Sequence, residues 1–488
     1  MKTRLLLAAA ALVVAASAMI TAQPSEQQIT PGTLTRLAHP APHGVEVSFL
    51  LTDGTVLAQG DSDSDWWKLT PDINGSYVNG TWSRMADLPN GYSPYAFASA
   101  VLADGRVVII GGEYNFRVFA FTNLGAIYDP VANTWTPISH PTGWDFIGDS
   151  QSAVLPNGKF LVGRKFDTQM AQLDPATLKW TAVSSTGKSD WFSEEGWTLM
   201  PNGTILTADV LNNPNSEHYV PSQGIWVQDG STIANLQGPP EVGCIRGEWG
   251  DYCPPGEIGP AILRPDGSVY ATGATHQGAV SGHTAVYRPG LTPNDPGTWT
   301  PGPDFPTGDA AGDSFAALLT NGNVLVEGNS DRLYEFDGTN LTPGPLSAGG
   351  CLLVLPTGEV LVGGSAVYRS NGSYDKAWAP GLYTSPIVVK RGSTYPIAGQ
   401  RFNGMSQAAA FGDEFETATN YPIIRLTNKA TGHVFYMRTH DHSTMGVQTG
   451  NALTTTHFDV PVNTETGIAT LEVVANGIPS PKILVFVQ

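Results

Sequence analysis

The sequence repeats one short unit seven times, and this repetition constrains the fold more than any other feature of the chain. The unit is an apolar run, a turn, a second apolar run and a glycine, as in FLLTDGTVLAQG at 49–60 and ALLTNGNVLVEG at 317–328. Six of the seven turns are Asp-Gly or Asn-Gly, and the seventh is Thr357-Gly358. These dipeptides accept the positive φ angles of a type I′ turn, so each unit predicts a two-residue β-hairpin.

A second hairpin follows each copy of the unit. It typically starts near a tyrosine and ends near a tryptophan, as in AIYDPVANTWTPI with Tyr128 and Trp135. Two successive hairpins form a four-stranded sheet, and the copies recur about every fifty residues, which is the period of kelch propeller blades. Seven such sheets close into a ring without long free edges. The sequence therefore predicts an all-β fold, with a seven-bladed kelch-type β-propeller over residues 30–378.

The two ends of the predicted propeller are also visible in the sequence. The segment TLTRLAHP at 33–40 resembles the last strand of a blade and directly precedes the first hairpin, so we expect it to supply the outer strand of the seventh blade. From Ala379 onward the repeat stops, and short alternating strands are separated by Gly, Pro and Asn turns. This pattern predicts an immunoglobulin-like β-sandwich over 379–488.

The N-terminus predicts export. Residues 1–22 combine a short basic head, an apolar core too short to span a bilayer, and small residues at a cleavage position, which is the pattern of a signal peptide. No later apolar run reaches membrane-spanning length. The net charge of −18 makes nucleic acid and anionic membranes unsuitable partners. We expect a monomer that is secreted, either to the periplasm or to the extracellular space.

Two of the three cysteines lie close together in the sequence. Cys244 and Cys253 bracket the loop CIRGEWGDYC, and we expect them to form a disulfide because an exported chain meets an oxidising environment. That loop would present Trp249 on a rigid surface suited to recognition. Cys351 stands in the apolar run GGCLLVL, which predicts a buried thiol.

The C-terminal region carries three segments in a distinctive order: NYPIIRLTN, then THDHSTMGV, then VVANGIPSPKILVFV. Together with the signal peptide and the kelch repeats, they make the chain resemble the galactose oxidase and glyoxal oxidase family of secreted copper-radical oxidases. The resemblance implies that a histidine of the C-terminal loop enters the propeller channel and binds copper. His440 and His442 match that position, and residues two apart on a strand point to the same face.

The remaining copper ligands of that family are not matched in the predicted propeller. Where the family has Tyr-His-Ser at the start of the last inner strand, this chain has Ala348, Gly349 and Gly350. The family also has a Cys-Pro-Gly cysteine cross-linked to a tyrosine, whereas Cys253 stands in Cys-Pro-Pro-Gly and is expected to pair with Cys244. Because a cupric site needs several N and O ligands, one loop with two histidines is not sufficient. Copper is therefore an alternative cofactor for this chain.

Acidic residues recur at one position of the predicted inner strands. Asp149, Glu194 and Asp313 each stand eight residues before the Asp or Asn of the turn, and Glu195 and Glu257 are one residue off this register. Inner strands line the channel, so we expect a carboxylate-lined pocket at one mouth. Such a pocket could hold a cation or a polyhydroxylated ligand, or supply paired carboxylates for acid–base chemistry. The alternative is that each acid caps backbone amides within its own blade.

Other residues extend this predicted channel mouth. His276 lies in a loop of the fifth blade where it could pair with Glu257, although a surface histidine without such a role is the alternative. Trp249 is a candidate aromatic platform for a sugar ring. The acidic run DSDSD at 61–65 resembles the opening of a calcium loop, but Trp66 stands where an EF-hand requires glycine. Calcium is therefore a second open cofactor.

These features support two classes of function. The first is an extracellular binding protein that recognises a glycan or another surface ligand through its propeller face. The second is a copper-dependent oxidase of the galactose or glyoxal oxidase type with a divergent metal site. A hydrolase or lyase that uses the acidic residues is a third hypothesis. The fold alone does not choose among them.

Overall fold

The computed structural model describes residues 29–60, 64–239, 256–276, 278–410, 415 and 417–488, and the backbone alone of 245–247 and 250–252. The predicted signal peptide at 1–22, the predicted disulfide residues Cys244 and Cys253, and Trp249 lie outside this part of the chain. Within it, no helix has the length and apolar character needed to cross a membrane. Its one helix is a single 3-10 turn, Lys376–Trp378, and the regular structure is otherwise β.

Seven antiparallel sheets, numbered here in chain order of their inner strands, account for the repeats. From inner to outer strand, sheet 1 consists of Val45–Leu50, Val56–Gly60, Trp66–Thr70 and Thr81–Arg84; sheet 2 of Ala98–Val101, Val107–Ile110, Gly125–Asp129 and Thr134–Pro137; and sheet 3 of Ser152–Val154, Phe160–Gly163, Met170–Asp174 and Lys179–Val183. Sheet 4 consists of Thr198–Leu199, Ile205–Ala208, Asn215–Val220 and Ile225–Ser231, and sheet 5 of Ile258–Leu263, Val269–Gly273, Thr284–Arg288 and Thr298–Pro301. Sheet 6 consists of Ala316–Leu318, Val324–Glu327, Arg332–Phe336 and Leu341–Leu346, and sheet 7 of Leu352–Val354, Val360–Val362, Ala366–Arg369 and Thr33–Arg36.

The hairpin turns contain a left-handed glycine, but they are not the predicted type I′ turns. Their glycines have φ between +76° and +88°, whereas the Asp, Asn or Thr before each glycine has no positive φ. In the first turn, the Gly54 N–H donates to the Leu51 carbonyl, and the Asp53 carboxylate accepts from the Thr55 N–H at 2.9 Å. This side-chain bond holds Asp53 in the right-handed region, so the turn is a type I turn followed by a left-handed glycine.

Apolar side chains fill the spaces between adjacent sheets. The strand Val107–Ile110 is buried along its whole length, because its two faces pack against the neighbouring sheets. The repeated aromatic residues contribute to the same contacts. Trp135 lies 5.0 Å from its cross-strand partner Tyr128 and 4.8 Å from Trp66 of sheet 1, measured between ring centroids. The recurring Trp and Tyr positions are thus packing positions.

The last sheet packs next to the first, so the seven sheets form a closed ring. The inner strand of sheet 7 contacts that of sheet 1, and sheet 7 obtains its outer strand from the N-terminal segment. In that strand Thr33 pairs with Arg369 and Arg36 pairs with Ala366. The N-terminal segment therefore joins the beginning of the chain to the last repeat, as the sequence predicts.

Two further sheets form the C-terminal region and enclose a core of their own. One has the strand order Gly381–Thr384, Thr394–Gln400, Thr454–Asp459 and Thr439–His440. The other has the order Val388–Val389, Ile483–Val487, Gly467–Ala475, Ile423–Asn428 and Val434–Met437, with Ile478–Pro479 also paired to Gly467–Ala475. Two small sheets lie elsewhere: Pro94–Tyr95, Tyr114–Asn115 and Val118–Phe119 form one, and Ile245–Gly247 and Gly250–Tyr252 form the other.

The C-terminal region lies against the ends of the sheets that carry the hairpin turns. The Thr439 N–H donates to the Thr52 carbonyl of sheet 1 at 3.0 Å, and the His442 N–H donates to the Ala103 carbonyl of sheet 2 at 3.1 Å. The next contact along the loop is from the Met445 N–H to the Pro156 carbonyl of sheet 3. The opposite ends of the inner strands, where the strands begin, form what we call the open face.

A segment of the C-terminal region enters the space between the inner strands. Ala409–Ala410 pairs with the inner strand of sheet 6, and the Leu318 N–H donates to the Ala408 carbonyl at 2.8 Å. The Phe415 ring lies 5.1 Å from Phe97 of sheet 2. Because this segment touches inner strands on different sides, it occupies part of the channel.

Candidate functional site

A buried lysine organises the acidic residues on the open face. Lys165 lies two residues after the second strand of sheet 3 and is 2% exposed. Its Nζ donates to Oδ2 of Asp149 at 2.5 Å and to Oε1 of Glu194. Burial by itself lowers the pKa of Lys165, but the two carboxylates outweigh that effect and raise the pKa above its usual value. The lysine is therefore a fixed positive charge between the beginnings of sheets 3 and 4.

Glu257 and Asp313 bring two more carboxylates to the same place. Glu257 directly precedes the inner strand of sheet 5, and the Asp313 N–H donates to the Ile258 carbonyl next to it at 3.0 Å. Burial, followed by the negative charges of Glu194 and Asp313, raises the pKa of Glu257 to about 9. Glu257 is therefore protonated and uncharged at neutral pH.

Exposure increases from the inside of this cluster to the solvent. Lys165 and Asp149 are buried, Glu194 and Glu257 are half-buried, and Asp313 is exposed. Oδ1 of Asp149 is buried, and no group in the described part of the chain donates a hydrogen bond to it. We call these five residues the Lys165 cluster. It is a polar cluster that extends from the protein interior to the exposed side chain of Asp313.

Glu195 belongs to a different cluster from its neighbour Glu194. Its buried carboxylate lies 3.3 Å from Nζ of Lys188, which also binds Asp190 and Glu217. These four residues, together with Asp209, form what we call the Lys188 cluster. Two adjacent glutamates thus point to two different lysines, and Glu195 is not part of the Lys165 cluster.

Aromatic rings lie beside the Lys165 cluster. A run of rings with successive centroids 5.0–5.9 Å apart consists of Tyr95, Tyr114, Phe119, Phe121 and Phe166. Its last ring, Phe166, lies 5.6 Å from the Lys165 ammonium. At its first end, a cavity of about 270 Å³ is lined by Glu46, Tyr95, Tyr114 and Arg117. This run of ring contacts therefore extends from the cavity to the Lys165 cluster.

Of the histidines predicted as site residues, His276 follows the second strand of sheet 5, whereas His440 and His442 belong to the C-terminal region. His276 packs against His283, with ring centroids 5.0 Å apart, and His283 is paired with Asp304 at 2.8 Å. His442 is buried, and its Nδ1 lies 2.9 Å from the Thr456 hydroxyl. Burial lowers the pKa of His442 to about 3, so its imidazole is neutral.

His440 shares a small polar group with its neighbours at the turn ends of the sheets. Its Nδ1 lies 2.8 Å from Oδ2 of Asp441, and its ring stacks on His457 at 5.7 Å. The three residues His440, Asp441 and His457 each bring one potential ligand atom within 4.8 Å of the others. The channel itself receives Ala409–Ala410 and Phe415, as described above.

The arrangement does not reproduce the copper site that the resemblance implies. In sheet 7 the positions before the inner strand are Ala348, Gly349 and Gly350, and the Gly350 N–H donates to the Glu327 carboxylate at 3.1 Å. Side chains at these positions offer no ligand atoms. His440 and His442 contact the turn ends of the sheets, while the Lys165 cluster lies where the inner strands begin. The residues that the resemblance would assign to copper thus do not converge on one site.

Sequence reasoning missed both lysines. The sequence contained a signal for Lys165. In LVGRKFD this lysine comes soon after a fully apolar strand, at the end where the inner strands begin. Lys188 stands in the loop TGKSDWFSEE among three acids, and this pattern reads equally well as a solvated loop. The pairing of acids with buried lysines depends on contacts between sheets, which local sequence does not encode.

Comparison with known proteins gives a likeness of fold. No protein-family profile and no curated protein matches the chain. Among solved structures, a fungal alcohol oxidase of the AA5 family, in complex with copper, is similar with a TM-score of 0.50 and 14% identity, over 94% of this chain and 99% of the oxidase. At this identity the likeness shows a galactose oxidase-like β-propeller fold and says nothing about activity.

Two further similar structures have lower TM-scores. The extracellular domain of a one-component system from B. thetaiotaomicron has a TM-score of 0.44 and 13% identity, over 94% of this chain and 58% of that one. A streptogramin B lyase has a TM-score of 0.44 and 10% identity, over 70% of this chain and 98% of the lyase.

Proposed function

We propose that this chain is an exported binding protein whose open face recognises a glycan or another polyhydroxylated ligand. In this proposal the seven sheets are the blades of a kelch-type propeller spanning 30–378, and residues 379–488 form an immunoglobulin-like domain that braces it. The observation that carries the proposal is the Lys165 cluster, which brings four carboxylates together on the open face and binds two of them to one ammonium.

The chemistry of the cluster suits hydroxyl groups. Ionised carboxylates accept hydrogen bonds from hydroxyls, and protonated Glu257 adds a donor. The buried Oδ1 of Asp149 is an acceptor to which no described group donates. A binding site that fixes both hydrogen-bond donors and hydrogen-bond acceptors can select a ligand by its orientation and not by its charge alone.

The aromatic surface supplies the apolar part of such recognition. Tyr95 is 37% exposed and lies 5.8 Å from Tyr114, and both line the neighbouring cavity. A sugar ring can pack its C–H face on an aromatic ring while its hydroxyls reach nearby carboxylates. The Lys165 cluster and this cavity would then contact different parts of one ligand.

A glycan-binding screen with the mature chain, followed by calorimetry on the best ligand, tests the proposal. We expect Tyr114→Ala and Asp313→Asn each to weaken binding by about tenfold or more, since each removes a central contact. Tyr383→Ala is the matched control, because Tyr383 is an exposed tyrosine of the C-terminal region. Equal affinity of Asp313→Asn and the unaltered chain would exclude the Lys165 cluster as the binding site.

A copper-dependent oxidase is the second candidate function. It is favoured by the shared fold with a copper-containing oxidase and by the convergence of His440, Asp441 and His457. The test is metal analysis of the exported protein, followed by a peroxide assay with alcohols and aldehydes after copper loading. Stoichiometric copper together with peroxide formation would replace the binding proposal with this one.

A further inference from the structure

The Lys188 cluster contains more buried negative charge than its lysine can balance. Lys188 and Asp190 lie in the loop before the inner strand of sheet 4, Glu195 follows in the same loop, and Asp209 and Glu217 come from sheet 4 or its edge. The four acids are buried, and the Lys188 side chain is 0% exposed. With every group ionised, four carboxylates face one ammonium, which leaves three negative charges inside the protein.

One of the four carboxylates is fully satisfied by protein donors. Glu217 accepts from Lys188 at 2.7 Å and from the Gln228 side chain at 2.6 Å. The Ser189 N–H adds a bond at 3.1 Å. Glu217 therefore needs no further partner. The shortest contacts of the Lys188 ammonium are those with Glu217 and Asp190.

The other three carboxylates each keep one buried oxygen without a donor. These atoms are Oδ2 of Asp190, Oε1 of Glu195 and Oδ1 of Asp209, and within the described residues none of them accepts a hydrogen bond. Oε1 of Glu195 lies 3.3 Å from the Lys188 ammonium. The second oxygen of Asp209 accepts from the Ser189 hydroxyl at 2.7 Å, which fixes the orientation of this carboxylate.

These three carboxylates converge. Each brings one oxygen to within 4.8 Å of the oxygens of the other two. Burying an ionised carboxylate without a partner is costly, and protein interiors pair such groups with cations or metals. A protonated carboxyl is the alternative, and burial raises the pKa of Asp209 to about 8. A divalent cation is another way to remove the conflict, because its two positive charges would offset two of the three unbalanced negative charges.

We propose that Asp190, Glu195 and Asp209 bind one Ca²⁺ ion, which fastens the loop at 184–197 to sheet 4. The donors are oxygen atoms only, and three carboxylates with flexible geometry suit Ca²⁺ better than Mg²⁺, which demands strict octahedral geometry and retains several waters. Lys188 keeps its contacts with Glu217, Asp190 and Glu195, so the ion would share the last two carboxylates with the ammonium. This site is separate from the Lys165 cluster and does not depend on the ligand proposed there.

The test begins with the metal itself. The mature chain is unfolded in the presence of a chelator and refolded in metal-free buffer with or without CaCl₂, and its metal content is then measured after dialysis. We expect one Ca²⁺ per chain and a Tm higher by about 2 °C or more in the calcium sample, because an ion bound only to the folded state stabilises it. MgCl₂ at the same concentration should give a smaller increase.

A terbium assay locates the ion. Trp226 lies 5.2 Å from the Lys188 ammonium, so Tb³⁺ bound in the cluster should emit when tryptophan is excited, and Ca²⁺ should displace that emission. Asp209→Asn should weaken Tb³⁺ and Ca²⁺ binding by about tenfold or more, since a charged ligand is lost. The matched control is Asp309→Asn, because Asp309 is also buried but both of its oxygens have protein donors.

The outcomes separate cleanly. Retention of calcium by the unaltered chain, with loss in Asp209→Asn and not in Asp309→Asn, supports the site. If the unaltered chain refolds to the same Tm and holds no calcium, or if Asp209→Asn binds as tightly as the unaltered chain, the site does not exist. Should Asp209→Asn fail to fold, the metal content and terbium emission of the unaltered chain still decide.

Discussion

Nζ of Lys165 lies 2.5 Å from Oδ2 of Asp149, and both side chains are almost completely buried where the inner strand of sheet 3 begins. The same ammonium also binds Glu194 from sheet 4. One cation therefore holds together the beginnings of two adjacent sheets. This contact makes Lys165 the structural centre of the Lys165 cluster.

Replacing Lys165 by Met should lower the free energy of unfolding by about 3–5 kcal/mol, because removing one partner leaves buried carboxylates without a counter-charge. Denaturant unfolding, monitored by tryptophan fluorescence, measures the change. Arg288→Met is the control, since Arg288 and its partner Asp266 are both exposed and 3.4 Å apart. Such an exposed pair contributes at most about 1 kcal/mol. A similar loss in both variants would contradict the role given to Lys165.

Stability should fall as the pH rises from about 4.5 to 9, in part through Glu257. The folded protein keeps the Glu257 proton up to a pKa of about 9, whereas the ordinary value is 4.5. In this window the folded state binds more protons than the unfolded chain, so raising the pH favours unfolding, by at most about 1.4 kcal/mol per pH unit for one group. The stabilisation that comes from the Glu257 proton is therefore complete below pH 4.5 and absent above pH 9.

Melting temperatures across this pH range check the prediction. Glu257→Gln should flatten the profile relative to the unaltered chain, because glutamine does not titrate. Other buried acids, among them Asp209 with a pKa of about 8, will leave some slope in the variant. Two profiles of identical shape would show that Glu257 is ionised in the folded protein.

Closure by the N-terminal strand should depend on Tyr368. Its hydroxyl accepts from the Gly32 N–H and donates to the buried carboxylate of Glu335. Tyr368→Phe removes both bonds and should cost about 1–2 kcal/mol, measured by denaturant unfolding. Tyr383→Phe also removes a hydrogen bond, from the Tyr383 hydroxyl to the Gln400 side chain, but water replaces that bond at this exposed site, so the cost should be less than about 0.5 kcal/mol. Equal costs would mean that the N-terminal contact does not stabilise the last sheet.

Phe415 should anchor the C-terminal segment in the channel. It is 3% exposed and its ring contacts Phe97, so Phe415→Ala should leave a cavity and lower the free energy of unfolding by about 3–5 kcal/mol. Phe486→Ala, at a position 43% exposed, should cost less than about 1 kcal/mol. Calorimetric melting distinguishes the two, and an unchanged melt for Phe415→Ala would show that the ring does not hold the segment.

The repeats made the sheets predictable from sequence, because the hairpin signal is local. A turn such as Asp53-Gly54 lies between two apolar strands that pair with each other. Every residue of the two strands is within about ten positions of the turn. The turn type was harder to predict, since it depends on whether the Asp53 carboxylate binds the Thr55 N–H. Local chemistry decides this bond, but the dipeptide alone does not reveal it.

The positions of the acidic residues could be predicted only in part. The spacing of Asp149, Glu194 and Asp313 from their turns placed them at equivalent points of three sheets. It could not assign Glu194 and Glu195 to different lysines, because both precede a two-residue inner strand, Thr198–Leu199, in an irregular loop. Likewise, nothing in the small residues of Ala409–Ala410 indicated that they pair with sheet 6.

The pairing of Thr33–Arg36 with Ala366–Arg369 also sets an order of events during biosynthesis. The first strand to leave the ribosome has no partner until more than three hundred further residues have been made, and sheet 6 acquires its extra strand, Ala409–Ala410, later still. Such long-range contacts slow folding. Ring closure is thereby postponed until residues 366–369 have been made, so the N-terminal strand stays without its sheet through most of synthesis.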